Sequence, residues 1–262
     1  LENFMDQLLG MHQTEKKLAE YFGNQRCIVV SGNSEEQPKV ADAFGEALNE
    51  ALDLLLPEGN NIIAVMGGTT MAVVAEQLTN LENNQRHNLF VPARGGIGEA
   101  VTVQANSVSA RMATKASGNH RALYVPEQLS LATYNSLLNE PSIQEVLNLI
   151  SQANCVIHSI GRALHMAARR KMTEKELVML KQANAVAESF GYFFNENGEV
   201  VYKVPRIGIE LKDLANVPII LAIAGGKSKA KAIRAYMKNA PKQTWLITDE
   251  AAAKEILKGV SL

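Results

Sequence analysis

Cysteine is almost missing from this chain: Cys27 and Cys155 are the only two among 262 residues. Both lie in apolar, strand-like runs (CIVV and CVIHSI) without His or Cys at metal-ligand spacing, so neither a zinc site nor a disulfide scaffold is expected. No apolar run approaches the roughly 18 residues needed to span a bilayer, and no signal peptide is visible. An excess of charge is missing too: 26 Lys plus Arg against 27 Asp plus Glu leaves −1. That balance is a poor basis for general nucleic-acid binding, which rests on neutralising phosphates. No GxGxxG follows an early strand, and neither GxxxxGK[ST] nor GxSxG occurs, which removes the usual dinucleotide, P-loop and nucleophile-elbow readings. These absences predict a soluble, cytoplasmic protein with no cofactor and no metal.

What is present is organised around Asn61 to Met71, NIIAVMGGTTM. Four apolar residues, Ile62 to Val65, read as a short buried strand; Gly67 and Gly68 break it, and Thr69 and Thr70 open a helical pattern with Met71, Val74 and Leu78. Strand, two glycines, hydroxyls and helix make an anion cradle: the backbone approaches closely and N–H groups and hydroxyls point outward. An ordinary turn with Thr69 as N-cap is the plain alternative.

Taken in order, residues 1 to about 23 read as one or two short helices with a narrow apolar stripe (Leu1, Phe4, Met5, Leu8, Leu9, then Leu18, Tyr21, Phe22). Because the chain starts at Leu1 inside that pattern, it is read as a fragment whose natural N-terminal part has been removed. CIVV is the first strand, and Val40 to Leu56 a helix ended by Pro57 and Gly59. LFVPARGGIGE (Leu89 to Glu99) repeats strand then glycines, Ala105 to Ala116 is a helix, and ALYVP (Ala122 to Pro126) a further strand. A helical region from Gln128 to Ala153 breaks at Pro141. CVIHSIGRA ends a strand in a glycine and runs into helix through Arg170. Thr173 to Glu176 is a capping box, VAESFGYFFN (Val186 to Asn195) a strand, and Asn197-Gly198 a hairpin turn. VPIILAIAGG (Val217 to Gly226) ends in a second double glycine before Lys227-Ser228-Lys229 and a helix; TWLIT and a helix capped by Asp249 close the chain. Apolar strands alternating with helices predict an α/β fold with a parallel sheet covered by helices on both faces. Residues 1–23 form a helical linker or oligomerisation segment and 24–262 one ligand-binding domain.

In such sheets ligands sit beyond the carboxyl ends of the strands. Four glycine-bearing ends here carry hydroxyls or cations: Gly67-Gly68-Thr69-Thr70, Arg94-Gly95-Gly96, Gly161-Arg162 and Gly225-Gly226 with Lys227 to Lys229. Their coincidence at one edge points to a phosphorylated ligand, and two double glycines suit a ligand with two anionic ends. The histidines (12, 87, 120, 158, 165) are scattered; His158, alone in a strand, reads as a satisfied core residue. Glu188 is the carboxylate to watch, as a partner for sugar hydroxyls or as a base.

MGGTTM, VPARGGIGE followed by VQANS, the SIGRA strand end and the late AGGKSKAKAI run resemble the effector-binding domain of the SorC family of bacterial transcriptional regulators, across nearly the whole chain. VPARGG and the GNH–ALYVP segment look most like the members that repress glycolytic genes. The resemblance implies a Rossmann-like, mostly parallel sheet with helices on both faces, similar to the fold of glucosamine-6-phosphate deaminase and the sugar-phosphate isomerases. It implies DNA binding only through a missing N-terminal winged helix-turn-helix, a homodimer or tetramer, and no membrane partner. It also implies a phosphorylated sugar effector, fructose-1,6-bisphosphate above other glycolytic sugar phosphates, that changes oligomeric contacts and operator affinity. Carried over by residue, Gly67, Gly68, Thr69, Thr70 and Arg94 would hold one phosphate. Gln104 would reach that phosphate or sugar hydroxyls, Lys229 would neutralise phosphate from the other side, Arg169 would meet the second phosphate, and Glu188 would take hydroxyls. Arg162 has no expected role. The alternative is an enzyme of the same fold, an isomerase or deaminase, for which only Glu188 offers a base and no Asp/His pair stands at the other strand ends.

Overall fold

Proline and glycine punctuate the first α/β unit. The computed structural model describes residues 1–95, 103–125 and 129–261. Helix α1 (Glu2–Phe22) ends at Gly23, whose left-handed φ of 66° closes it. It is one continuous helix rather than two. Its C-terminal half packs through Leu18 and Phe22, while Phe4, Met5 and Leu9 are exposed. Strand β1 (Arg26–Val30) follows, and α2 (Pro38–Leu55) starts on a proline at its first turn, where no N–H is needed. Strand β2 (Gly59–Val65) runs into Gly67-Gly68 and the short helix α3 (Thr69–Ala75). The N-cap of α3 is Gly68, not Thr69, and no side chain caps it.

Strand β3 (Arg86–Pro92), helix α4 (Ala105–Ala116) and the two-residue β4 (Asn119–His120) form the next unit. ALYVP is not a strand within its described part, 122–125. Asn106 is the cause: its side-chain amide donates to the Leu123 carbonyl at 2.8 Å and accepts from the Leu123 N–H at 2.9 Å, taking both groups a ladder would use. Helices α5 (Leu131–Leu138) and α6 (Pro141–Ser151) precede β5 (Cys155–Ser159). Then come β6 (Gly161–Arg162), α7 (Ala163–Arg169) and α8 (Glu174–Gln182), the last opened by the expected Thr173/Glu176 capping box. VAESFGYFFN is two strands, β7 (Ala185–Ser189) and β8 (Tyr192–Asn195), because Phe190 and Gly191 turn the chain with φ of 57° and 80°. Strand β9 (Val200–Lys203) returns after Gly198. Strand β10 (Ile219–Ile223), a 3-10 turn at Lys227–Lys229, α9 (Ala230–Met237), β11 (Thr244–Asp249) and α10 (Glu250–Leu257) complete the order.

Seven strands form one parallel sheet in the order β1-β11-β10-β5-β2-β3-β4. Helices α2, α3 and α4 cover one face around Phe44, Leu48, Met71 and Met112. The other face carries α1, α6, α9 and α10. A second, antiparallel sheet, β6-β7-β8-β9, was foreseen only in its β8–β9 hairpin. From β2 the chain moves outward through β3 and β4, then crosses back to lay β5 on the opposite side of β2. That reversal is where open α/β sheets form their ligand crevice.

Candidate functional site

The four glycine-bearing ends follow β2, β3, β5 and β10, which are consecutive in the sheet order. Their carboxyl ends therefore meet at one place, as expected. The β2 end is built by close approach. A Cβ at Gly67 would fall 2.4 Å from the Val103 carbonyl, and Gly68, at φ 133°, donates its N–H to that same carbonyl at 2.8 Å. The residues before α4 are thereby pressed against the cradle.

A cavity of about 50 Å3 opens there, walled by Gly67, Gly68, Arg94, Gln104, Arg170 and Arg206 among others. It is well below the ~150 Å3 that holds a benzene-sized guest, so in this state it has room for a small anionic group, not for a hexose. Arg94, one of three arginines on its wall, is only 1% exposed. Its main chain is gripped by the segment after β9. Arg94 bridges Gly208, Gly95 N–H donates to the Ile207 carbonyl at 2.8 Å, and Ile209 N–H donates to the Ala93 carbonyl at 2.7 Å. Its Nη1 donates to the Phe190 carbonyl and its Cζ lies 5.7 Å from the Tyr192 ring centre. Nε and Nη2 are buried and have no hydrogen-bond partner among the described residues. Burial foremost, with the Arg170 guanidinium nearby, lowers the Arg94 pKa, while Tyr192 and Glu188 act against this. A buried cation with open donors beside a cavity has the chemistry to receive an anion.

Glu188 sits in β7 and is buried, not solvated. Its Oε1 takes the Gly191 N–H at 2.8 Å and the Arg170 Nη2 at 2.7 Å. It thus reaches the cavity wall through Arg170. Thr69 and Thr70 begin α3 directly beyond Gly68 but are not on the wall of the cavity.

Arg169 and Lys229 are absent from that wall and belong to a second cationic group with Arg162. Burial first, then Arg162, Arg169 and Lys229 together, lower the pKa of His165. Lys229 is lowered by burial and by Arg162 and Arg169, against Glu35 and Asp249. Two N–H donors of the second double-glycine turn are already taken. Asp249 Oδ2 accepts from Gly226 N at 2.8 Å, and Glu35 Oε1 accepts from Ser228 N at 2.8 Å and from its hydroxyl.

Arg170 and Arg206 were missed in the sequence. Arg170 is the neighbour of the residue chosen, and helix phase alone could not separate the two. Arg206 follows Pro205 with no glycine-bearing strand end. His158 is fully buried as expected, beside Ser159 O and Ser189 Oγ, and burial takes its pKa down to about 4. It offers no base to the cavity. The described residues hold no group of His, Cys, Asp or Glu suited to a metal, and no helix is long and apolar enough to cross a membrane.

Residues 6–258 match the family described as "Putative sugar-binding domain". The chain is 47% identical over 258 residues to the central glycolytic genes regulator of Bacillus subtilis (strain 168), covering 98% of this chain and 75% of that protein. It is 46% identical, over the same shares, to the regulator of that name from Priestia megaterium. Among solved structures, a SorC family transcriptional regulator from Enterococcus faecalis superposes with a TM-score of 0.91 at 74% identity, over 94% of this chain and 100% of that one. The probable sor operon regulator of Shigella flexneri gives 0.85 at 20% identity, over 95% and 99%, a likeness of fold. The chain belongs to the SorC family of sugar-binding transcriptional regulators, and it is a regulator's domain rather than an enzyme.

Proposed function

We propose that this chain is the sensor of a glycolytic gene repressor, with fructose-1,6-bisphosphate as its effector. The observation that carries the reading is Arg94: a buried guanidinium with two unpartnered nitrogens on a cavity bounded by Gly67 and Gly68. The separate group of Arg162, Arg169 and Lys229 supports a second anionic end. In this reading Thr69, Thr70 and Gln104 complete the first phosphate's contacts, Arg169 and Lys229 serve the second, and Glu188 meets hydroxyls. The small cavity must widen to admit the sugar, so the ligand selects an altered conformation, and only that difference can be transmitted. Coupling to DNA affinity and to dimer or tetramer contacts, typically ~1–3 kcal/mol, would pass to a cytoplasmic, DNA-reading part through residues 1–23. The names of the two glycolytic relatives support the choice of gene set.

The test is calorimetric titration with fructose-1,6-bisphosphate, fructose-6-phosphate and dihydroxyacetone phosphate, recovering each sugar afterwards. The bisphosphate is expected to bind most tightly and every sugar to return intact. Arg94→Ala is expected to weaken bisphosphates more than neutral sugars. A bisphosphate that does not bind the unaltered chain overturns the effector assignment.

A further inference from the structure

Four described non-glycine residues have a left-handed φ: Ser117, Lys171, Asn184 and Phe190. The first three follow the ends of α4, α7 and α8, where a left-handed residue is the common way to stop a helix. Phe190 is different. It is a buried aromatic at the first position of a two-residue β-turn, a place that Asn or Gly fills at lower cost. The conformation persists because the surroundings over-determine it. The ring lies 4.4 Å from that of His158, Ser189 Oγ donates to the Ser159 carbonyl at 2.7 Å, Gly191 N–H is held by Glu188, and the Gly191 carbonyl accepts from Val204 N at 2.9 Å.

The consequence lies in the main chain: in this conformation the Phe190 carbonyl faces Arg94 Nη1. That contact fixes the plane of the guanidinium beside the cavity that Arg94 lines, and leaves Nε and Nη2 buried without hydrogen-bond partners among the described residues. We propose that Phe190 is the positioning residue for Arg94, its packed ring holding a strained turn whose carbonyl aims the guanidinium at the ligand's phosphate. The proposal rests on the sensor reading above and deepens it. Phe190 touches no ligand; it acts through Arg94.

The test is a double-variant cycle on fructose-1,6-bisphosphate affinity with the intact chain. Phe190→Leu keeps apolar bulk but gives up the ring that holds the turn, and a roughly ten-fold weaker Kd is expected. In an Arg94→Lys background, where a compact ammonium has no plane to aim, the same change is expected to cost less than two-fold. In a Thr70→Val background it is expected to keep its full ten-fold effect. Equal losses in all three backgrounds would mean that Phe190 is only core filling and overturn the proposal. Should Phe190→Leu fail to fold, Ser189→Ala loosens the same turn without emptying the core, and the same pattern decides. Failure of the unaltered chain to bind the bisphosphate would instead overturn the sensor reading itself, so the two failures are distinct.

Discussion

Glu188 and Arg170 meet at 2.7 Å with both side chains only 5% exposed. Two charges so far from water offset each other's desolvation only while both are present. Glu188→Gln is expected to destabilise the chain by about 3 kcal/mol, because it removes one charge of a buried ion pair. Urea unfolding gives the number, and a loss under 1 kcal/mol would mean that the pair contributes little.

Thr70→Val is nearly isosteric and lies where α3 begins. The fold should be unchanged, with the same thermal midpoint. Affinity for a phosphorylated sugar should fall by ~1.5–3 kcal/mol through loss of one charge-assisted hydrogen bond. Unchanged calorimetric affinity would remove Thr70 from the site.

Lys229 loses its proton at lower pH than an ordinary lysine, from burial first and then the neighbouring Arg162 and Arg169. Bisphosphate affinity should therefore decline on the alkaline side before pH reaches the usual lysine range. In Lys229→Arg that decline should move to higher pH, since a guanidinium stays charged. Superimposable affinity profiles for the two proteins would place Lys229 outside the binding energetics.

His158 has its pKa lowered from 6.5 to about 4 by burial, so folding favours the neutral ring. The unfolded chain takes up a proton first as pH falls, and stability is lost between about pH 6.5 and 4. At pH 5 the loss should be roughly 2 kcal/mol relative to pH 7. His158→Gln removes that component whatever its own stability. Comparing denaturant midpoints at the two pH values tests this, and an equal pH dependence in both proteins would refute it.

The parallel sheet was legible because its signals are local: apolar runs, then glycines, then helical periodicity. The Thr173 capping box and the Asp249 cap form as their chemistry requires, and MGGTTM and the second double glycine each join a strand to a helical turn. The second sheet was not legible, because its deciding turn puts an aromatic residue where sequence leads one to expect Asn or Gly. Phe190 is held there by His158 and Ser189, contacts that no local pattern announces. ALYVP misled for a similar reason: its β-forming residues are real, but the Asn106 amide occupies the main chain of Leu123. Within the site, Arg94 was legible beside its glycines. The choice of Arg170 over Arg169 for the cavity wall, and the arrival of Arg206, depend on how α7 and the segment after β9 dock.

The placement of β5 on the far side of β2 also bears on when the pocket comes into being. Its walls come from Gly67, Arg94, Arg170 and Arg206, which lie far apart along the chain and converge only after non-local parallel strands have paired. Such pairing is slow and comes late in folding. The pocket is thus an attribute of the finished molecule. A ligand seated there draws population toward the native state in proportion to RT ln(1 + [L]/Kd). In the sensor reading proposed above, abundance of the effector would then bear on the regulator's survival against proteolysis as well as on its grip on DNA.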